Sequence, residues 1–147
     1  MTRMQKIGYI FVGLVVLGVI PIPYLASPDW KVKVVDEKGE PLPGMLVRLS
    51  YENYSVENTS HEEDRSTDQN GEAEFPARRS SASTLRRVYF STLSAMALAH
   101  ASFGPTATVF AFGNGREGDL VENGYVFSWT GKPEHLESRI VAKLRAQ

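Results

Sequence analysis

The sequence predicts a mainly β chain: an antiparallel β-sandwich of about seven strands with one helical insertion, preceded by an N-terminal transmembrane helix. Three observations support this prediction. Apolar and polar residues alternate in several short runs, Gly- and Pro-containing turns separate these runs, and an uncharged apolar segment precedes them. A single stretch with helical periodicity accounts for the insertion.

The N-terminal segment begins with Arg3 and Lys6, and residues 7–25 then carry no charge. As a continuous helix these residues would span about 28 Å, enough for a bilayer core. Pro21 and Pro23 are expected to end the helix near Ile20, which leaves a run of signal-peptide length. An uncleaved anchor, a cleaved leader and a buried core helix therefore all stay open.

The membrane interpretations divide the chain into an anchor or signal peptide at 1–26 and an extracytoplasmic sandwich domain at 27–147. Positive charge at the N-terminus keeps that end inside and places the domain outside the cytoplasm. The predicted localisation is a single-pass membrane protein, periplasmic in a Gram-negative host.

The middle of the chain reads as strand, turn, strand, turn, strand. Val32 and Val34 alternate with Lys31, Lys33 and Val35, and Asp36 to Gly39 form a turn signal. A second strand and the strand after the Asn-Gly turn at 70–71 follow the same rule. Their predicted inward side chains are Met45, Val47, Leu49 and Tyr51, then Ala73 and Phe75.

These residues carry a family resemblance. The pattern V-x-V-x-D-x-x-G-x-P-x-x-G-x-x-V-x-L starts at Val32, and T-D-x-N-G-x-x-x-F starts at Thr67. Together they resemble the carboxypeptidase regulatory-like or prealbumin-like (transthyretin-like) β-sandwich domains. The resemblance implies a binding or accessory module, since many members of that superfamily are such modules outside the cytoplasm.

The polar stretch 52–66 is predicted to be a solvated loop. Its His61, Glu62, Glu63 and Asp64 lack the spacing of a calcium or zinc site, so neither a metal nor a cofactor is expected. Sixteen Lys and Arg residues against seventeen Asp and Glu give a net charge of −1, which does not favour nucleic acid. The chain has no cysteine.

The helical insertion is predicted at about residues 82–101, where apolar residues follow the i, i+3, i+4, i+7 rule from Leu85. This helix is expected either to pack on the sheet or to serve as a contact surface, and packing of its apolar stripe on the sheet is favoured. The candidate partner contacts on the helix are Arg86, Arg87, Phe90 and Ser94, and the loop at 113–124 is a second candidate contact surface.

The C-terminal part is predicted to contain a strand at 106–112, a glycine-rich hairpin connection at 113–119, and a partner strand. Tyr125, Phe127 and Trp129 lie on one face of that partner strand and are expected to point into the core. Residues 134–145 fit either a helix or a last strand, and the strand is favoured because it would cover a sheet edge.

No catalytic residues are predicted, since the three histidines are scattered and no acid–base pair is positioned. The prealbumin-like superfamily includes hydrolases of 5-hydroxyisourate, but this chain has Lys33 where they have histidine. The predicted function is a membrane-tethered extracytoplasmic binding or accessory module that is not an enzyme. The alternatives are a structural small subunit of an envelope complex and a hydrolase with an unrecognised site. Expected partners are membrane lipid through the N-terminal helix and an envelope protein or glycan.

Overall fold

The computed structural model describes residues 2–145. Residue 1, at the start of the predicted segment 1–26, and residues 146 and 147, at the end of the predicted domain 27–147, lie outside this range. The chain is mainly β with two α-helices. The elements in order are α1 (Arg3–Val19), β1 (Pro21–Ser27), β2 (Asp29–Val35), β3 (Leu46–Asn53), β4 (His61–Ser66), β5 (Glu72–Phe75), β6 (Arg78–Ser83), α2 (Thr84–Ala95), a short 3-10 helix (Leu98–His100), β7 (Pro105–Gly113), β8 (Arg116–Asp119), β9 (Val121–Glu122), β10 (Tyr125–Val126), β11 (His135–Val141) and β12 (Lys143–Leu144).

Helix α1 is well capped but short. The Thr2 hydroxyl accepts the Gln5 N–H, and the Gln5 side chain accepts the Thr2 N–H. The helix ends at Val19, because Ile20 is extended and Pro21 begins strand β1. This is the place where the prolines were predicted to end it. Among residues 2–145 no helix has the length and apolarity needed to cross a membrane. The prediction of a transmembrane helix, and with it a single-pass localisation, is therefore wrong.

Two sheets enclose one apolar core, as predicted for a sandwich. The three-stranded sheet has the order β11-β2-β5, and the five-stranded sheet has the order β12-β8-β7-β3-β4. The first sheet contributes Trp30, Val32, Val34, Ala73, Phe75 and Ile140 to the core, and the second contributes Val47, Leu49, Ala107, Val109 and Ala111.

The predicted antiparallel arrangement needs one correction. Strand β11 pairs in parallel with β2, from His135 opposite Asp29 to Val141 opposite Val35, while β5 pairs with β2 antiparallel. The chain after Pro133 is thus a strand, but the three-stranded sheet is mixed. Twelve strand segments occur in residues 2–145 against about seven predicted. Strands β9, β10 and β12 are pieces of two residues, and β1, β4 and β6 lie where no strand was predicted.

Two turns in the region of family resemblance share one geometry. Asp36 and Asp68 each accept, through Oδ1, the amide N–H groups two and four residues later, at 2.8 and 2.9 Å. In each turn the glycine three residues on, Gly39 or Gly71, has a positive φ and donates its N–H to the aspartate carbonyl. The turns therefore depend on a carboxylate at the first position and a glycine at the fourth.

These carboxylates predict a pH dependence of stability. The backbone hydrogen bond from Glu40 lowers the pKa of Asp36, and the one from Glu72 lowers the pKa of Asp68. A lowered folded-state pKa gives stability that is present above the unfolded value of about 3.9 and is lost as the pH falls through the folded value. The melting temperature should therefore fall more steeply between pH 5 and 2 in the natural chain than in Asp36→Asn/Asp68→Asn, measured by circular dichroism. Parallel curves would contradict this reading of the turns.

The predicted helical insertion is present as α2 and the short 3-10 helix. It follows β6, which pairs antiparallel with β1 as a separate two-stranded ribbon. The ribbon places α2 beside α1, where the Leu85 side chain lies 3.0 Å from the position that a Cβ on Gly18 would occupy. The apolar stripe that starts at Leu85 was expected to pack on the sheet, and its large side chains are instead exposed.

Two further predictions are corrected in the C-terminal half. Trp129 is fully buried and Phe127 packs against the core, but Tyr125 is 79% exposed, so the three aromatics do not share one inward face. The reason is that regular pairing stops after Val126, and Trp129 joins β7 only through an isolated bridge to Ala107. The hairpin connection predicted at 113–119 is shorter than expected. Asn114 and Gly115, both at positive φ, form the turn, and Arg116–Asp119 is strand β8, which pairs with β7 in place of the predicted partner strand.

The predicted loop at 52–66 contains an edge strand instead. Strand β4 pairs with β3 from Ser66 opposite Leu46 to His61 opposite Tyr51. Its charged side chains are neutralised by neighbours: Glu63 binds both Arg78 and Arg65 at 2.7 Å. Charges on an edge strand also protect its open side from pairing with another chain.

Candidate functional site

The outer face of the five-stranded sheet carries an aromatic pair. Along β7 the inward positions are Ala107, Val109 and Ala111, so the alternation places Phe110 and Phe112 on the opposite face. The two rings are half-buried, their centroids are 5.6 Å apart, and their planes differ by 26°. The pair is therefore a nearly parallel aromatic surface that the core does not cover.

A groove of about 840 Å³ lies over this aromatic pair. Strand β8 forms one wall, and the chain from Val141 to Arg145 forms another. These two segments approach closely because β8 contains Gly118, where a Cβ would lie 2.7 Å from the Val141 carbonyl oxygen. The side chains most relevant to binding are Phe110, Phe112, Glu117, Asp119, Lys143 and Arg145.

The rim of the groove combines paired and unpaired charges. Arg145 Nε binds Glu117 Oε2 at 3.0 Å, and the Arg145 N–H donates to the Gly115 carbonyl. Within residues 2–145, Asp119 and Lys143 have no ion-pair partner closer than 4.0 Å. Both side chains are exposed, so one carboxylate and one ammonium group are available to a bound molecule.

Arg48 extends the aromatic surface across β3. Its guanidinium lies 5.6 Å from the Phe112 ring centroid. It also donates two hydrogen bonds to Asp64, at 2.7 and 2.8 Å, and contacts Glu62 at 2.8 Å. The hydrogen bond from Arg48 lowers the pKa of Asp64, so that carboxylate stays charged and holds the guanidinium over the ring.

The predicted contact residues on α2 face the body of the protein. Arg86 Nε donates to the Val56 carbonyl at 2.6 Å, and its guanidinium lies 5.5 Å from the Phe90 ring centroid. Ser94 Oγ donates to the Tyr54 carbonyl at 3.1 Å.

Arg87, on the same side of the helix, reaches strand β1. It donates to the Ile22 carbonyl at 3.3 Å and lies 5.2 Å from the Tyr24 ring centroid. Arg86, Arg87 and Ser94 thus hold the helix against its own chain, and the role of all four candidate side chains as partner contacts stays a prediction.

The predicted contact surface at 113–124 lies at the groove, whose lining includes Gly113, Gly115 and residues 116–119 and 121. Sequence reasoning missed the remaining lining residues. Phe110 and Phe112 were placed in a strand without being assigned to the outer face, and Lys143 and Arg145 join the site only through the pairing of β12 with β8. The sequence signal that could have assigned Phe110 and Phe112 to the outer face is the small size of the residues that alternate with them on β7.

The histidines do not assemble into a metal centre. His61 lies 3.0 Å from Glu57, and His135 lies 3.0 Å from Asp29, on different strands. No cluster of three or more potential ligand side chains occurs between residues 2 and 145.

Comparison with known proteins gives no family assignment. No family model matches the chain, and no curated protein matches it. Among solved structures it is similar to 3-chlorocatechol 1,2-dioxygenase from Rhodococcus opacus 1CP, with 14% sequence identity and a TM-score of 0.43. The match covers 80% of this chain and 61% of the dioxygenase. The prediction that this chain is not an enzyme is not borne out. A likeness this distant assigns neither a reaction nor a substrate to the chain.

Proposed function

We propose that this chain is a glycan-binding module of the prealbumin-like type, with its ligand site in the groove over β7, β8 and β12. The observation that carries the proposal is the pair of nearly parallel rings, Phe110 and Phe112, that lines a groove on the outer face of the sheet. Support for the prealbumin-like type comes from the two aspartate–glycine turns in the region of resemblance.

The chemistry of the groove suits a sugar. A pyranose ring has an apolar C–H face and a rim of hydroxyl groups, so it needs a flat apolar surface together with polar groups at its edge. Aromatic rings supply the first requirement. The Asp119 carboxylate and the Lys143 ammonium supply the second, since hydrogen bonds to charged groups are the stronger ones.

A peptide strand is a poorer fit to the same groove. Peptides that bind by strand addition need a free sheet edge, whose backbone groups are unpaired. The aromatic floor lies on β7, which is paired on both sides, with β3 and β8. Recognition at this place must therefore come from side chains.

The proposal is tested by affinity electrophoresis of the full chain in gels that contain a soluble β-glucan, a xylan or alginate. At least one polysaccharide should retard the protein. Replacing both phenylalanines, Phe110→Ala/Phe112→Ala, should weaken that binding about tenfold or more, since an aromatic stacking contact contributes about 0.5–1.5 kcal/mol beyond its area.

Two variants make the result specific. Phe103→Ala removes an exposed phenylalanine outside the groove lining and should leave the retardation unchanged. Asp119→Ala changes only an exposed rim carboxylate and should weaken binding without affecting the fold. Absence of retardation by every polysaccharide, or equal retardation of all variants, would reject glycan binding at this site.

A further inference from the structure

Helix α1 exposes apolar side chains on all its sides. None of its residues is buried, and its apolar residues are distributed around the whole circumference of the helix. The large exposed side chains between residues 4 and 20 are Met4, Ile7, Tyr9, Ile10, Phe11, Val12, Leu14, Val15, Val16, Leu17, Val19 and Ile20. A water-exposed surface of this kind marks an interaction site.

Helix α2 turns its polar side inward. Arg86, Arg87 and Ser94 bind carbonyl groups of the protein body. The outward side is apolar, and its large exposed side chains are Leu85, Val88, Tyr89, Leu93 and Met96. This orientation is the reverse of that of a surface helix in water.

The apolar surfaces of the two helices adjoin. The contact between Leu85 and Gly18 joins them at the C-terminal end of α1 and the N-terminal end of α2. Leu98 and Phe103, just beyond α2, are also exposed. We call α1 and the outward side of α2 the helical surface.

Negative charge is absent from the segments that build the helical surface. All seventeen Asp and Glu residues lie outside residues 1–28 and 75–116. Arg3 and Lys6 stand at the start of α1. The acidic residues therefore lie outside these two segments. No acidic side chain on the helical surface would repel an anionic layer.

We infer that the helical surface binds an anionic lipid layer, with α1 and the outward side of α2 embedded together in one face of it. A protein partner or a second copy of the chain contacts one side of a helix, whereas acyl chains surround it. Because the apolar side chains of α1 point in all directions, a lipid layer covers the helical surface more completely than a protein does. The basic residues at the start of α1 would meet the lipid head groups.

The test is flotation of the full chain with vesicles of phosphatidylcholine alone or mixed with phosphatidylglycerol. The natural chain should float with the mixed vesicles. Arg3→Gln/Lys6→Gln should lower that binding about twenty-five-fold, because each basic side chain near an anionic surface contributes about fivefold. High salt should reduce the binding of the natural chain in the same direction.

The apolar contribution is tested separately on each helix. Phe11→Glu/Leu14→Glu on α1 and Leu93→Glu/Met96→Glu on α2 alter exposed positions, so folding is expected to be unaffected, and each pair should abolish flotation. Tyr125→Glu is the control, a more exposed aromatic on β10 that should float like the natural chain.

Failure of the natural chain to bind either vesicle would overturn the inference. A dimer in light scattering that Leu93→Glu converts to a monomer would then identify a second copy as the cover. Flotation that persists in both glutamate pairs would equally overturn it, because binding would then lie elsewhere on the chain.

Discussion

Replacing Trp129 with alanine is expected to lower the free energy of unfolding by about 3–5 kcal/mol, the range for deleting a large aromatic from a packed core. The side chain is fully buried, and its Nε1 donates to the Pro133 carbonyl at 2.7 Å. Since small domains have a total stability of about 5–15 kcal/mol, this change should remove a large part of it. Urea unfolding of both proteins at pH 7 measures the difference.

Tyr125 is the matched control for Trp129, since both were predicted to face the core. Tyr125→Ala should change the free energy of unfolding by no more than about 0.5 kcal/mol, because its side chain is exposed. Equal destabilisation by the two substitutions would show that Tyr125 packs in the core in solution, contrary to the structure.

The second large effect is expected at Gly71. This residue has φ +73°, and a Cβ there would lie 2.6 Å from the Val34 carbonyl oxygen. Gly71→Ala should therefore cost about 2–5 kcal/mol, the sum of left-handed backbone strain and a clash with the central strand. The free energy of unfolding in urea is again the measurement.

Gly44 separates the two contributions to that loss. It has nearly the same φ, +72°, but nothing lies within 4 Å of the position of its Cβ. Gly44→Ala should cost only about 1–2 kcal/mol, from backbone strain alone. If the two alanine variants lost the same stability, close packing of the 68–71 turn against β2 would not be the reason for glycine at 71.

The strands of the sandwich were predictable where only one face of a strand is buried, because apolar and polar residues then alternate along the sequence with a period of two. Strands β2, β3, β5 and β7 all bury alternate apolar residues, and the inward faces predicted for β2, β3 and β5 are confirmed. Strand β4 was missed because it has charged side chains on both faces. It is held by its backbone pairing with β3 and by ion pairs with Arg48 on β3 and Arg78 on β6, and none of these contacts leaves a periodic pattern in the sequence.

The orientation of α2 shows the limit of periodicity as a guide. The apolar stripe was assigned to the core because that is where an amphipathic helix in water places it. In this chain the carbonyls of Tyr54 and Val56 accept hydrogen bonds from Ser94 and Arg86, which draws the polar side inward. Sequence pattern identified the helix and its two faces but not the direction in which they point.

The groove was predictable only in part, because its residues meet across strands. The 113–124 stretch was selected for its glycines and its position between strands, and it lines the groove. Lys143 and Arg145 follow β11 by only a few residues, yet the pairing of β12 with β8 brings them beside Glu117. Such convergence depends on sheet register, which a single sequence does not specify.

Because β2 pairs with β11, the three-stranded sheet can be completed only after β11 has been synthesised. His135 and Asp29 are 106 positions apart, and closing so long a loop slows folding compared with joining neighbouring hairpins. On the ribosome, one edge of β2 stays unpaired until residues 135–141 have emerged. The nascent chain exposes a Val-rich strand during that interval, which is therefore the one in which a chaperone has most to protect.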